Sequence, residues 1–321
     1  MSVVRLFDSA SGAKACVAVN EGFNLYHFEV PFQHSTHSVL WAADGFELGQ
    51  QRPSGSGLPI LFPVPGRIAQ GRVTWNGRTW ELPLPDGRGN AIHGYVLNRP
   101  WRLVAQSDSS VTGEFHAARD LPDWNSLWPS DFRITATYRL HASQLHCEYR
   151  LENPGDLPLP YGFGAHPYFR VPMGGPNADD CMVTLPVSRE WMLDNLIATG
   201  EVRAVTRPFE NGVRFGQLHL DNVFGGLAYR QGRCTCSVTD PASGLQLELE
   251  FGPAFRELVV YNPPHREAIC IEPYTCVPGA TQHLALERGG APPRPDLGWR
   301  TLPPGASEEL DMILRVRNHA P

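Results

Sequence analysis

The chain has 321 residues, of which 42% are hydrophobic and 19% charged, a composition typical of a soluble globular protein with a substantial core. Its net charge of −6 at pH 7 does not favour nucleic acid or an anionic membrane as a partner. Neither a secretory signal nor a run of about 18 apolar residues, the length of a transmembrane helix, is found. Because seven cysteines without a signal fit reduced thiols, we expect a cytoplasmic protein.

Short apolar segments, separated by 31 glycines and 30 prolines, predict a β-rich fold. Strands are predicted at residues 15–19, 24–30, 39–42, 101–105, 111–116, 132–141, 145–151, 182–185, 227–230, 234–239, 245–251, 257–261, 268–272 and 310–316. No long helix, internal repeat or domain linker is indicated. The expected fold class is therefore all-β, a large antiparallel β-sandwich, with residues 1–321 forming a single domain.

The connections between these strands carry their own signals. Residues 59–68 hold too many prolines for a central strand, so we predict an irregular loop that presents Arg67 at its tip. Residues 72–82 predict a hairpin, since Asn76-Gly77 supplies the two positive-φ positions of a type I′ turn. Residues 120–129 are polar and aromatic, contain prolines, and are predicted to form a loop.

One histidine near the middle of the chain is a candidate catalytic residue. His166 lies among apolar and small residues and directly precedes Pro167, which favours an extended backbone and a fixed ring direction. A histidine held in this way suits general acid chemistry near neutral pH. Taken alone, a histidine flanked by aromatic residues is more often a packed structural residue.

A carboxylate in a similar setting strengthens the catalytic interpretation. In residues 268–275, Ile269 and Ile271 share one strand face, and Cys270 and Glu272 share the other. Glu272 also stands directly before a proline. Because burying a carboxylate is costly unless it has a partner or a task, we predict that Glu272 and His166 form an acid/base pair.

Four stretches resemble segments of the aldose 1-epimerase (galactose mutarotase) family and occur in the family's order. Residues 59–68 resemble P-I-L-F-P-x-x-N-R-I, and residues 90–94 resemble N-x-I-H-G. Residues 164–169 resemble G-x-H-P-Y-F, and residues 272–280 resemble E-P-x-T-x-x-P-x-A. Asp221 occupies the position of the aspartate in the family's D-x-x-F segment.

This resemblance implies a galactose mutarotase-like supersandwich that binds a sugar in an open cleft. It implies an isomerase that interconverts the α and β anomers of a hexose without a cofactor, as a monomer or homodimer. Glu272 would take the proton of the C1 hydroxyl, and His166 would protonate the ring oxygen. His93 would hydrogen-bond near the ring oxygen, and Arg67 and Asp221 would orient hydroxyls.

Departures from the family pattern leave the substrate open. Gly66 stands where the family commonly has asparagine beside the arginine. A subgroup with this fold acts on phosphorylated or sulfonated hexoses and would need basic residues for the anion. Four arginines near the motifs are candidates for that role: Arg72, Arg88, Arg99 and Arg170.

Two further alternatives concern function and metal. A non-catalytic carbohydrate-binding β-sandwich would have no need for both His166 and Glu272, which favours an enzyme. Cys234 and Cys236 form a C-x-C pair, but no second ligand pair lies nearby in the sequence. We therefore expect no metal site.

Overall fold

The computed structural model describes residues 2–282 and 296–319, and strands are its main regular secondary structure. The strands are β1 (Val3–Phe7), β2 (Lys14–Ala18), β3 (Asn24–Phe32), β4 (Ser35–Ser38), β5 (Ile60–Leu61), β6 (Arg67–Ala69), β7 (Arg72–Trp75), β8 (Arg78–Glu81), β9 (Asn90–Ile92), β10 (Arg102–Gln106), β11 (Ser110–His116), β12 (Arg133–His141), β13 (Gln144–Glu152), β14 (Leu159–Tyr161), β15 (Gly164–Ala165), β16 (Tyr168–Arg170), β17 (Met182–Thr184), β18 (Arg189–Asp194), β19 (Ile197–Ala204), β20 (Val213–Arg214), β21 (Asp221–Gly225), β22 (Cys234–Asp240), β23 (Leu245–Phe251), β24 (Glu257–Tyr261), β25 (Ala268–Tyr274), β26 (Arg300–Leu302) and β27 (Ser307–Asn318).

Helical structure in the described part of the chain is short. The α-helices are α1 (Ala117–Asp120) and α2 (Trp124–Leu127), and the 3-10 helices are Phe46–Leu48, Pro53–Gly55, Ala178–Asp180, Phe209–Asn211 and Phe215–Gln217. No helix of the described residues is long and apolar enough to cross a membrane.

Two large antiparallel sheets dominate the fold. The nine-stranded sheet has the order β10-β11-β12-β13-β27-β23-β22-β17-β20. The eight-stranded sheet has the order β19-β18-β21-β24-β25-β15-β5, with β16 also paired to β25. Strands β1 to β4 form a separate four-stranded sheet, and the pairs β14/β26, β6/β9 and β7/β8 complete the topology. This architecture confirms the predicted all-β antiparallel sandwich.

The core lies between the two large sheets, and strands of the nine-stranded sheet such as β13 and β23 alternate in burial. In β13, every second side chain is buried, and Tyr149 packs on Phe163, beside β15, with ring centroids 4.8 Å apart. Full burial of such a side chain contributes roughly 1.5–3 kcal/mol. The two facing sheets therefore form a rigid support for residues on their outer faces.

Strand β25 connects this core with the opposite face of the eight-stranded sheet. Ile269 and Ile271 belong to the main core, as the alternation predicts. Cys270 packs in a separate small cluster with Tyr168 on the other face. Glu272, two residues further along, shares that face with Cys270 and lines an open cleft.

Most predicted strands are confirmed within one or two residues at each end, and so is the hairpin. Asn76 has a φ of 48° and Gly77 a φ of 80° between β7 and β8, as a type I′ turn requires. The strand predicted at residues 227–230 is wrong, since this segment holds only an isolated bridge at Arg230. Gly226, with a φ of 65°, breaks the extended conformation just before it.

Two other local predictions are corrected. The strand predicted at residues 39–42 lies earlier, at β4, and Leu40 makes only an isolated bridge to Phe169. Residues 120–129, predicted as a loop, include helix α2, which is closed by the Trp128 N–H donating to the Trp124 carbonyl. Single helical turns have too few residues to show a hydrophobic period.

A buried side chain holds the segment that leads into β5. The Asn24 amide donates to the carbonyls of Ser56 (2.9 Å) and Pro53 (3.3 Å). Its carbonyl oxygen accepts the Leu58 N–H at 2.9 Å. Asn24 therefore satisfies backbone groups that have no strand partner and fixes one wall of the cleft.

We expect Asn24→Ala to lower the free energy of unfolding by roughly 1–3 kcal/mol, because it leaves buried backbone groups unpaired. Urea unfolding followed by fluorescence measures this change. Asn98→Ala, at an exposed position, is the matched control and should lie within about 0.5 kcal/mol of wild type. Equal midpoints for Asn24→Ala and the control would contradict the assignment.

Candidate active site

An open cleft of about 480 Å³ lies on the outer face of the eight-stranded sheet. Its volume is typical of small-molecule sites, which span roughly 300–1,000 Å³. All five residues singled out in the sequence line it: Arg67, His93, His166, Asp221 and Glu272. They come from β6, the residue after β9, the residue after β15, β21 and β25, so only the fold brings them together.

Glu272 and His166 form a direct pair at the base of the cleft. His166 Nε2 lies 3.2 Å from Glu272 Oε1, and the two side chains are 8% and 2% exposed. The Tyr274 hydroxyl donates to Glu272 Oε2 at 2.7 Å. Both carboxylate oxygens thus have a fixed partner, and Tyr168 stacks on the His166 ring with centroids 4.9 Å apart.

The burial of this pair sets its protonation. Burial raises the pKa of Glu272 well above its usual value, while the Tyr274 hydroxyl and the Arg67 guanidinium oppose the rise. Burial also lowers the pKa of His166 to about 3. Both shifts favour the neutral form of each group. At 3.2 Å, His166 Nε2 and Glu272 Oε1 share one proton, which either partner is able to carry.

His93 is fixed as a hydrogen-bond donor toward the cleft. Its Nδ1 accepts the Gly66 N–H at 3.2 Å, and its own backbone N–H donates to the Gly66 carbonyl at 2.9 Å. With Nδ1 as acceptor, the neutral ring carries its proton on Nε2. Burial lowers the pKa of His93 well below its usual value, and His166 and Arg67 lower it further. The two rings lie 5.6 Å apart in an edge-to-face arrangement.

Gly66 has a structural reason for lacking a side chain. Its φ is 69°, and a Cβ atom there would lie 2.8 Å from Pro278. Any larger residue would press on the turn that follows β25. The replacement of the family's asparagine thus matches the close packing of these two turns.

Arg67 is not at the tip of a loop as predicted. It is the first residue of β6, which pairs with β9, and its side chain is half-buried. Its Nε donates to Asp86 Oδ2 at 3.2 Å. The prediction failed because β6 and β9 are three-residue strands whose pairing depends on partners distant in sequence.

Asp86 was missed by the sequence analysis. Its carboxylate is only 1% exposed and accepts the backbone N–H groups of Arg88 (2.7 Å) and Asn90 (2.9 Å). The Asn90 side-chain amide donates to it at 3.0 Å. An acid directly before a Gly-x-Gly loop, four residues before the N-x-I-H-G segment, was the available signal. Asp86 ties the loop that carries His93 to the Arg67 side chain.

Asp221 opens β21 on the cleft side and remains solvent-exposed. Partial desolvation raises its pKa, and Arg67 and Arg88 oppose that rise. The carboxylate thus lies near two guanidinium groups, an arrangement suited to binding neighbouring hydroxyls of one ligand.

The cleft also carries arginines beyond Arg67. Of the four that the sequence suggested for an anion, Arg88 lines the cleft, whereas the other three do not: Arg72, Arg99 and Arg170. Arg52, which the sequence analysis missed, lines the cleft and makes no ion pair with the described residues.

One group among the described residues has donor atoms close enough to hold a metal ion. The ligand atoms of His166, Cys270 and Glu272 lie within 4.8 Å of one another. The sequence analysis did not anticipate this grouping, and its expectation of no metal site stays a prediction. Cys234 and Cys236 belong to no such group in the described ranges.

The sequence model of the aldose 1-epimerase family matches residues 10–315. The protein YihR of Escherichia coli strain K12 is 25% identical over 243 residues, covering 73% of this chain and 76% of that protein. The galactose mutarotase of Sus scrofa is 28% identical over 171 residues, covering 50% of this chain and 48% of that enzyme. The match thus spans about half the length of the pig enzyme.

Solved structures show the same fold. A galactose mutarotase-like protein from Clostridium acetobutylicum superposes with a TM-score of 0.83 at 22% identity, covering 99% of both chains. An aldose epimerase homologue from Caenorhabditis elegans superposes with a TM-score of 0.80 at 18% identity, also covering 99% of both. At these identities the likeness shows the fold.

We expect His93 and His166 to remain neutral at pH 6, where an ordinary histidine is mostly protonated. The pKa values of both rings are lowered in the folded protein, so the same histidines bind protons more readily in the unfolded chain. As the pH falls below about 6.5, these two histidines therefore lower the stability of the folded protein. Ring ¹⁵N chemical shifts followed from pH 8 to 4 measure this, with His93→Gln and His166→Asn assigning the signals. The chain unfolded in urea is the control, and midpoints at or above 6.5 in the folded protein would contradict the expectation.

Proposed function

Because the chain belongs to the aldose 1-epimerase family, we propose that it is an isomerase that interconverts the α and β anomers of a hexose. The observation that carries the proposal is the His166–Glu272 pair, held at 3.2 Å at the base of an open cleft. The pair offers one proton acceptor and one proton donor side by side. Anomer exchange needs these two groups and no cofactor, since a proton acceptor and a proton donor suffice to open and close the sugar ring.

In the proposed reaction, the Glu272 carboxylate takes the proton of the C1 hydroxyl, and His166 gives its Nε2 proton to the ring oxygen. The bond between C1 and the ring oxygen breaks, and the free aldehyde turns about the C1–C2 bond. Closure on the other face returns both protons, so the step is balanced without an oxidant or reductant. The productive state has the shared proton on His166, and the Tyr274 hydroxyl and Arg67 both favour the ionised carboxylate that this requires.

The remaining cleft residues would bind and orient the sugar. His93 would donate from Nε2 to the region of the ring oxygen, because its Nδ1 is already occupied by Gly66. Arg67 and Asp221, whose charged groups lie near each other, would contact hydroxyls of the sugar. In this proposal residues 1–321 act as one cytoplasmic domain, a monomer or homodimer, with no cofactor.

A phosphorylated or sulfonated hexose is the second candidate substrate. Arg52 and Arg88 both line the cleft, and neither forms an ion pair with a carboxylate of the described residues. Two such guanidinium groups favour an anion. Comparing anomer exchange of glucose and galactose with that of their 6-phosphates separates the two candidates.

We expect Glu272→Gln to slow anomer exchange by about 10²-fold or more, because the amide keeps the shape but cannot accept the proton. His166→Asn should slow exchange similarly through loss of the acid. The two losses should not add in the double variant, because both groups act in one step. Saturation-transfer NMR measures exchange, and calorimetry measures sugar binding, which should weaken far less.

Two outcomes would contradict this assignment. Near-normal exchange by Glu272→Gln with a good substrate would show that Glu272 is not the base. Sugar binding by the wild type without exchange of any bound sugar would favour the non-catalytic carbohydrate-binding alternative.

We expect Asp86→Asn to raise KM with little change in kcat, because Arg67 loses the charged partner that positions it for hydroxyl binding. Hydrogen bonds to charged groups contribute roughly 1.5–3 kcal/mol, so apparent affinity should fall about 10- to 100-fold. Glu81→Gln, which removes an exposed carboxylate 3.6 Å from Arg72 on the hairpin, is the matched control and should change neither parameter. A fall in kcat at constant KM would indicate a different role for Asp86.

A further inference from the structure

A third side chain accompanies the acid/base pair. Cys270 lies two residues before Glu272 on the same face of β25 and is fully buried. Its backbone is paired with Tyr168, whose ring stacks on His166. The ligand atoms of His166, Cys270 and Glu272 therefore converge to within 4.8 Å of one another. The sugar chemistry proposed above assigns no task to this thiol.

These three side chains are a known type of zinc donor set. Zinc binds cysteine sulfur at about 2.3 Å and histidine nitrogen or carboxylate oxygen at about 2.0–2.2 Å, in tetrahedral geometry. Two nitrogen or oxygen ligands of one such ion lie about 3.4 Å apart. The separation of 3.2 Å between His166 Nε2 and Glu272 Oε1 is already close to that value.

Charge favours the same ion. A divalent cation with one thiolate, one carboxylate and one neutral imidazole forms an assembly without net charge. Burying a neutral assembly avoids most of the cost of burying an isolated ion. Because His166 and Glu272 line the cleft, an ion bound between them is reachable from solvent and keeps a fourth position open to it.

We propose that His166, Cys270 and Glu272 form a binding site for a thiophilic divalent cation such as Zn²⁺, and that the bound ion excludes the sugar reaction. The ion binds the Glu272 carboxylate oxygen that would accept the proton of the C1 hydroxyl. It also binds His166 Nε2, which would carry the proton for the ring oxygen. On binding, the Cys270 thiol loses its proton to solvent as the metal–sulfur bond forms. The inhibitory part rests on the proposed function, whereas the binding part does not.

We expect the ion to bind this site reversibly, as an inhibitor, rather than as a permanent constituent of the protein. The Cys270 thiol is fully buried in a cluster with Tyr168 and must lose its proton, which costs free energy that the metal must offset. The proton shared by His166 and Glu272 must also be displaced. Both costs weaken metal binding compared with a site whose ligands are already deprotonated.

Metal binding is tested first without reference to activity. The full chain is dialysed against ZnCl₂ and analysed for bound metal, and Co²⁺ is added separately to record its thiolate-to-cobalt absorption. We expect one ion per chain and a thiolate band in the wild type. Cys270→Ser should lose the band and bind zinc at least about tenfold more weakly. Cys276→Ser, which removes another buried thiol near the end of β25, should resemble the wild type.

The outcomes decide each part separately. No bound metal and no thiolate band in the wild type, or zinc binding by Cys270→Ser equal to wild type, would overturn the site. Should Cys270→Ser not fold, Cys270→Ala and the wild-type cobalt spectrum decide in its place.

Inhibition is tested by anomer exchange with increasing Zn²⁺. We expect zinc to slow anomer exchange by the wild type and by Cys276→Ser, with full recovery after addition of a chelator. Zinc bound at the site without any effect on exchange would overturn the inhibitory role. A wild type that exchanges no sugar would instead refute the proposed function, while the dialysis and cobalt results would still decide the metal site.

Discussion

The burial of the Glu272 carboxylate beside His166 is the constraint on which the site depends. A carboxylate on a central strand is stable only if its oxygens have partners, and here they are His166 Nε2 and the Tyr274 hydroxyl. Because Tyr274 follows two residues later on the same face of β25, the strand itself supplies one partner. The other comes from the residue after β15, so folding and the assembly of the His166–Glu272 pair are one event.

The opposite wall of the cleft has its own support. The hydrogen bond from the Gly66 N–H to His93 Nδ1 fixes the tautomer of the His93 ring. The Asp86 carboxylate accepts a hydrogen bond from Arg67 Nε and so positions the Arg67 side chain. Each of these groups acts on the cleft through a hydrogen bond rather than through bulk packing. The sheet thus provides rigidity on one side, and a buried polar network provides it on the other.

Much of the fold was predictable because it depends on local patterns. Alternating burial in β13 and β23, and the Asn76-Gly77 turn, appear directly in the sequence. The missed helix α2 and the shifted β4 are too short to carry such a period. Strands β6 and β9 were missed because residues distant in sequence define their pairing, and Arg67 was consequently expected at a loop tip.

The sequence by itself determined which residues share a strand face and which are stiffened by proline, since these properties belong to neighbours along the chain. It therefore identified Glu272 opposite Ile271, and His166 before Pro167, as candidates. Only the tertiary structure decided that they meet at 3.2 Å, that Asp86 supports Arg67, and that Cys270 joins the pair. These contacts join residues up to 106 positions apart, as between His166 and Glu272, and sheet topology rather than local periodicity sets such distances.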